Sequence, residues 1–204
     1  MRTIMLDVDG VLVRGRPHDG AHLFTDLQKD LGLSLEQLQR EFFKPRWSAI
    51  VTGQKPLVPE LTEVLARIAP HVTAKALIDY WFLNDSRVDQ AVLDAVAELR
   101  LTGDRVYLAT NQEHMRANYL METMGLKDHV DGIFYSASIG HRKPAREFFE
   151  HSTGVVAAPV SNITLIDDTE ENVLAARAFG WSAVHWRPEM AVAQELAALV
   201  PHRE

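Results

Sequence analysis

The 204-residue chain has no cysteine, so disulfides, thiolate metal sites and cysteine nucleophiles are excluded. No apolar stretch approaches the roughly 20 residues needed to cross a bilayer. The first apolar run, Thr3-Ile4-Met5-Leu6, stops at Asp7, too early for a secretory signal. A soluble, cytoplasmic protein without a membrane partner is therefore expected. Basic residues are also few: 21 Lys and Arg face 28 Asp and Glu, a formal charge of −7, and no basic stripe is visible. Nucleic-acid binding, which depends on cationic side chains neutralising phosphates, is not expected. A small anionic substrate would need a locally positive site. The nine histidines lack zinc-ligand spacing such as HExxH. At 47% hydrophobic and 24% charged, the composition supports a sizeable core, and disorder, fibre and coiled coil do not fit it.

Short β-branched or apolar runs ending in polar residues read as buried parallel strands at Thr3 to Val8, Arg105 to Thr110, Asn162 to Asp167 and Ser182 to Trp186, with a weaker fifth at Gly132 to Tyr135. Helical patterns alternate with them at Asp89 to Leu101, Glu113 to Met124 and Glu170 to Phe179, and the last two finish at Gly125 and Gly180 as helix C-caps should. This alternation predicts an α/β fold with a doubly wound parallel sheet. Between residues 15 and 85 it breaks down. His22 to Leu31, Ser34 to Trp47, Pro59 to Ile68 and Thr73 to Phe82 all read as helices. The expected organisation is a core over 1–14 and 86–204 with an all-helical insertion over 15–85, joined by short crossings near residues 14 and 86. Met115, Met121 and Met124 fit a buried helix face.

The first strand runs into Asp7-Val8-Asp9-Gly10, where side-chain alternation puts both carboxylates on one face, about 6 to 7 Å apart by the strand rise. Ligands of open α/β sheets bind beyond the carboxyl ends of the strands, and Gly10 permits a tight exit there. A calcium loop of EF-hand type is excluded, because its sixth and twelfth positions would fall on Leu12 and His18. The second strand ends at Thr110-Asn111, where a hydroxyl and the amides of the following helix could hold phosphoryl oxygens. A capping box from Thr110 to Glu113 is the plainer reading of the same residues. Lys143, in His141-Arg142-Lys143-Pro144, is biased by the proline towards an extended backbone that could reach across a pocket. The fourth strand ends in Asp167-Asp168, with Glu170, Glu171 and Asn172 on the next helical turn. Acids at a helix N-terminus gain about 0.3–1 kcal/mol from its dipole, so this pair also has a structural excuse.

Taken together and in this order, the four motifs Asp7-Val8-Asp9-Gly10-Val11, Thr110-Asn111, Lys143-Pro144 and Asp167-Asp168 resemble those of the haloacid dehalogenase superfamily. The helical stretch is similar to the cap of its subfamily I. Leu165-Ile166-Asp167-Asp168 followed by Asn172 is similar to the paired-aspartate form found in sugar-phosphate phosphatases and the phosphatase domain of epoxide hydrolases. The resemblance implies a Mg²⁺-dependent phosphatase of a small phosphorylated metabolite, with a sugar phosphate as one form. Asp7 would be nucleophile and Mg²⁺ ligand, and Asp9 acid/base with its backbone carbonyl on the metal. Asp168 would be the third protein ligand. Thr110, Asn111 and Lys143 would bind the phosphoryl group, and Asp167 and Asn172 would support the ligands from behind.

Elementary electrostatics makes a matching demand. A carboxylate about 3.5 Å from a phosphate dianion is repelled by roughly 9 kcal/mol at an effective dielectric near 20, so attack needs positive charge nearby. Asp9 separates this reading from the dehalogenases of the superfamily, whose halide leaves without a proton. A noncatalytic phospho-ligand-binding protein and a phosphomutase of the same fold are the rival classes. Substrate choice is expected in the cap, with Arg14, Arg16, His18, Arg46 and Trp47 as candidate contacts. Oligomeric state leaves no mark in the sequence.

Overall fold

The computed structural model describes residues 2–187 and Met190, so the C-terminal end of the expected core lies partly outside the described residues. Its strands are β1 (Thr3–Leu6), β2 (Arg105–Thr110), β3 (Gly132–Tyr135), β4 (Ile163–Asp167) and β5 (Ser182–His185). They form one sheet in the order β3-β2-β1-β4-β5, with every neighbouring pair parallel.

Alternation along the strands divides the core. Ile4 and Leu6 of β1 pack with Val106 and Leu108 on one face, whereas Met5 joins Ala109 and Leu165 on the other. Helix α5 (Gln90–Leu101) covers the first face together with residues 114–123, through Val92, Val96, Leu99 and Leu120. The second face is covered by Arg146–Val156, through Phe148 and Phe149, and by Glu170–Phe179, through Ala176. A sheet buried on both faces explains why its strands read as unbroken apolar runs.

Residues 27–84 hold four helices: α1 (Leu27–Leu31), α2 (35–51), α3 (Leu57–Ile68) and α4 (Ala74–Asn84). Helix α2 is α-helical at both ends with a π-helical stretch, Gln39–Phe43, between them. These helices surround a hydrophobic cluster of their own, including Phe24, Leu38, Phe42, Leu61 and Leu77. The chain enters and leaves this region along two antiparallel crossings, where Arg14 N–H donates to the Arg87 carbonyl at 2.9 Å and Asp89 N–H to that of Leu12 at 2.8 Å.

Several element boundaries differ from expectation. Helix α1 begins at Leu27 instead of His22, because residues 23–26 are turns in which Thr25 N–H returns to the His22 carbonyl. Strand β1 stops at Leu6, two residues early, because the chain coils back onto the Val8 carbonyl. Met115 is 42% exposed, so only Met121 and Met124 pack on the core. The helix after β2, α6, spans 114–123 and also ends in a π-helical stretch, Tyr119–Thr123. The remaining helices are α7 (Ser136–Ile139), α8 (Arg146–Val156) and α9 (Glu170–Phe179).

Candidate active site

The chain builds β2 and β3 on one side of β1, then returns to place β4 and β5 on the other. The carboxyl ends of β1 and β4 therefore flank the point where strand order reverses, the usual crevice for ligands in such sheets. Asp7 and Asp9 follow β1, and Asp167 and Asp168 lie at the end of β4.

Asp7 keeps the sheet register, its N–H donating to the Ile166 carbonyl at 2.9 Å. Immediately after it the chain coils: the Val8 carbonyl accepts the amides of Val11, Leu12 and Val13 at 3.3, 2.9 and 2.8 Å. Gly10 sits in this coil at φ +81°, where a Cβ would be strained and would also run into the Asp168 carboxylate. The Val8, Val11, Leu12 and Val13 side chains anchor the coil in the core.

Beyond the coil the two acids take different partners, although Asp9 still acts on the Asp7 carboxyl. Asp7 Oδ1 accepts from the Val8 amide at 2.8 Å and lies 3.0 Å from Lys143 Nζ. Asp9, past the end of the strand, instead accepts from Gln112 Nε2 at 2.5 Å. The coil begins after Asp7, which still follows the sheet register, so Asp9 lies beyond strand alternation.

Lys143 is the organising cation. Its side chain is fully buried, and Nζ donates to the Ala109 carbonyl and Asp167 Oδ2, both at 2.5 Å, as well as approaching Asp7. Asn111 fixes its backbone from both sides, donating Nδ2 to the Lys143 carbonyl at 2.9 Å and accepting the Lys143 N–H on Oδ1 at 2.8 Å. Asp167, itself fully buried, also accepts from the Thr169 amide at 2.9 Å and from Asn172 Nδ2 at 3.0 and 3.1 Å. Asp168 is exposed, and Thr169 Oγ1 lies 3.3 Å from its carboxylate.

Thr110 is buried at the tip of β2. The capping-box expectation fails there, because the helix starts at His114 with Glu113 as its N-cap. The Glu113 carboxylate accepts from the Met115 and Arg116 amides at 2.8 and 2.5 Å. Those amides are taken by a carboxylate on the spot, which also removes them as phosphoryl ligands.

Oxygens of Asp7, Asp167 and Asp168 lie within 4.8 Å of one another. Three carboxylates against the single Lys143 ammonium leave a formal charge of −2. Burial pushes the Asp7 carboxyl up to about 7, with Lys143 holding it back and Asp167 and Asp9 adding to the rise. Asp168 is raised too, by burial and then by Asp167. Burial alone would lower the Lys143 ammonium, but Asp7 and Asp167 more than offset it and raise it. An all-oxygen donor set with excess negative charge fits a hard divalent cation such as Mg²⁺.

Asp9 is reachable from solvent, yet the surrounding protein raises its carboxyl to about 6. Desolvation is the main cause and Asp85 adds to it, while Arg116 and the Gln112 hydrogen bond oppose it. Arg116 is fully buried, pairs with Asp85 at 3.3 Å and reaches the Phe82 carbonyl at 3.5 Å. Gln112, Asp85 and Arg116 were not legible as site residues. Asp85 and Arg116 stand far apart in the chain, and only the strand-loop geometry brings them to Asp9.

Of the expected specificity contacts, Arg14 and Trp47 line the cleft above Asp9. Arg16 is instead bound to Asp19 and Asp26. Arg46 is held by Glu60 and Glu63 at 2.7 Å each, and His18 is exposed near Asp19.

A carboxylate cluster with one buried lysine, set at the switch point of a doubly wound sheet, defines a hydrolase of the Rossmann-like class. The chain belongs to the haloacid dehalogenase-like hydrolase family, whose model matches residues 1–180. It is 36% identical over 114 residues to the sesquiterpene phosphatase astK of Aspergillus oryzae, a match covering 56% of this chain and 58% of that one. With a phosphoglycolate phosphatase of Neisseria meningitidis it shares 27% over 89 residues, or 44% and 38% of the two chains. These matches thus span about half of the curated relatives' length or less. Among solved structures it resembles a predicted hydrolase from Porphyromonas gingivalis, at TM-score 0.80 and 17% identity over 100% and 99% of the chains. An enzyme of the family from Bacteroides thetaiotaomicron, crystallised with magnesium and inorganic phosphate, gives 0.77 and 17% over 93% and 96%. At such identities the structural likeness concerns the fold. No helix among the described residues is long and apolar enough to cross a membrane.

Proposed function

We propose that the chain hydrolyses the phosphate monoester of a small metabolite, with Asp7 as nucleophile. The observation that carries this reading is the placement of Asp7. It is buried at the carboxyl end of the central strand, beside Lys143 and within reach of two further carboxylates. Asp7 and Asp168, with the Asp9 backbone carbonyl, would hold Mg²⁺, and Asp167 would hold Lys143. Bound there, the ion supplies the positive charge that lets a carboxylate approach a phosphoryl group. The chain's own residues do the rest. Lys143 offsets charge on the phosphoryl oxygens, and Thr110 and Asn111 flank the transferring group. An Asp9 carboxyl raised to about 6 suits an acid that protonates the leaving oxygen and then deprotonates the hydrolytic water near neutral pH. Residues 15–85 act as the cap over a core of 1–14 and 86–204. The test is phosphate release from p-nitrophenyl phosphate, with and without Mg²⁺, by the wild type and Asp7→Asn. Release that needs both Mg²⁺ and Asp7 is expected, and equal release by the variant would overturn the assignment.

A further inference from the structure

Resting on that phosphatase reading, we infer that the organic half of the substrate is apolar: a phosphate ester of a hydrophobic alcohol, bound against an aromatic wall in the helical region. A cavity of about 480 Å³ opens above Asp9, Asn111 and Gln112. That volume lies within the roughly 300–1,000 Å³ typical of small-molecule sites. Leu23, Phe43, Trp47 and Trp81 supply the large apolar part of its lining.

Phe43 and Trp47 stand four residues apart on α2 and so share one face, their ring centroids 5.6 Å apart. Trp81 of α4 meets both, at 5.7 and 5.4 Å, and the three rings make a continuous panel. Trp81 is part of the buried core of the helices, but Phe43 and Trp47 are not simply core filler. Adjacent Phe42 is 1% exposed and completes the hydrophobic cluster of the helices, whereas Phe43 and Trp47 keep part of their surface at the cavity. Phe42 and Phe43 both lie in the π-helical stretch Gln39–Phe43, a type of distortion frequent at functional sites.

The charges around the cavity point the same way. Its titratable lining is Asp9, Asp85, Arg14 and His22; Arg14 is paired with Asp89, and Asp85 with buried Arg116 at 3.3 Å. A second anionic group on the substrate, such as a carboxylate or another phosphate, would meet the Asp9 carboxylate and find no unpaired guanidinium in the lining. A hydrocarbon or aryl group instead gains from leaving water. In the reaction the bond from phosphorus to the alcohol oxygen breaks as Asp7 forms its own bond to phosphorus, and that oxygen takes the Asp9 proton. Water then cleaves the acyl phosphate and returns a proton to Asp9, giving inorganic phosphate and the free alcohol.

The experiment pairs hydrolysis of n-alkyl phosphates from ethyl to octyl with binding of the matching alkylphosphonates, followed by tryptophan fluorescence in the presence of Mg²⁺. Phosphoglycolate and glucose phosphate serve as polar comparators. We expect kcat/KM to rise about fourfold per methylene until the cavity fills, and Trp47→Leu to flatten that slope. Hydrolysis that is indifferent to chain length, or that favours the polar comparators, overturns the apolar assignment and leaves the phosphatase reading intact. If no ester is hydrolysed, the phosphatase reading fails. The phosphonates then decide the remainder: dissociation constants falling with chain length support the apolar site, and constants independent of it overturn that as well.

Discussion

Replacing Lys143 with methionine probes the site's charge balance more directly than any other single change. The substitution keeps the length and apolar stem of the side chain but removes the ammonium that serves Asp7, Asp167 and the Ala109 carbonyl. Three carboxylates then share one pocket with no internal cation, and the formal charge moves from −2 to −3. Removing one partner of a buried ion pair costs about 3–5 kcal/mol. At about 2–4 °C per kcal/mol for a chain of this size, the melting temperature of the metal-free variant should fall by about 6–20 °C. The pH dependence follows from Asp7, whose carboxyl is raised from 3.8 to about 7. A carboxyl with a raised folded-state pKa favours the native state more as pH falls through that value, because the native state then binds the extra proton. Losing Lys143 raises Asp7 further, so the deficit should be largest above pH 7 and shrink below it. Thermal denaturation followed by circular dichroism in EDTA, above and below that pH, measures both effects. A deficit under about 2 °C, or one that does not change with pH, would refute the picture of Lys143 as a buried counter-ion.

Three further outcomes follow from the geometry. Asp168→Ala removes an exposed carboxylate with one weak contact, so metal-free stability should stay within about 0.5 kcal/mol. Magnesium affinity by calorimetry should drop sharply, and unchanged affinity would remove Asp168 from the ligand set. Gly10→Ala forces a Cβ into a left-handed φ beside Asp168, costing about 1–2 kcal/mol in chemical denaturation; a neutral result would mean that the coil adapts freely. Arg16 donates hydrogen bonds that lower Asp19 from 3.8 to about 2 and lower Asp26 as well. Carboxylates with depressed folded-state pKa values stabilise the fold above their unfolded pKa and lose that contribution as pH falls through the folded one. Arg16→Met should therefore destabilise above pH 4 and converge on the wild type in acid. Urea midpoints that differ equally across the range would argue against it.

The parallel sheet was legible because each strand is buried on both faces and so reads as a short apolar run ending in a polar residue, as in Ile163-Thr164-Leu165-Ile166 before Asp167. Even the weak edge strand at Gly132–Tyr135 formed, paired with β2. Helix ends were less legible. The His22 side matched a helical pattern, but the local hydrogen bonds favour turns up to Leu27. Helix α8 has a weak pattern in the sequence because its buried face, Phe148, Phe149, Ser152 and Val156, includes a polar residue. Around the site, motif order identified Asp7, Lys143 and Asp167, which meet through backbone-directed geometry. The sequence could not show that Asp9 pairs with Gln112, nor that Asp85 and Arg116 press on it, because those contacts depend on how the loops after β1 and β2 and the exit from α4 come together. The aromatic panel is equally hidden: Trp47 is a candidate contact on its own, but its partners Phe43 and Trp81 lie on a π-distorted turn and a separate helix.

The central claim is that Asp7 takes the phosphoryl group onto its own carboxylate. Acid quench during turnover of a phosphate ester, followed by mass spectrometry of the peptide containing Asp7, tests it most directly. The account predicts a phosphoryl-sized mass gain on that peptide in the wild type, and neither the gain nor phosphate release in Asp7→Asn. Steady phosphate release with the Asp7 peptide unmodified, or turnover surviving in Asp7→Asn, would contradict it.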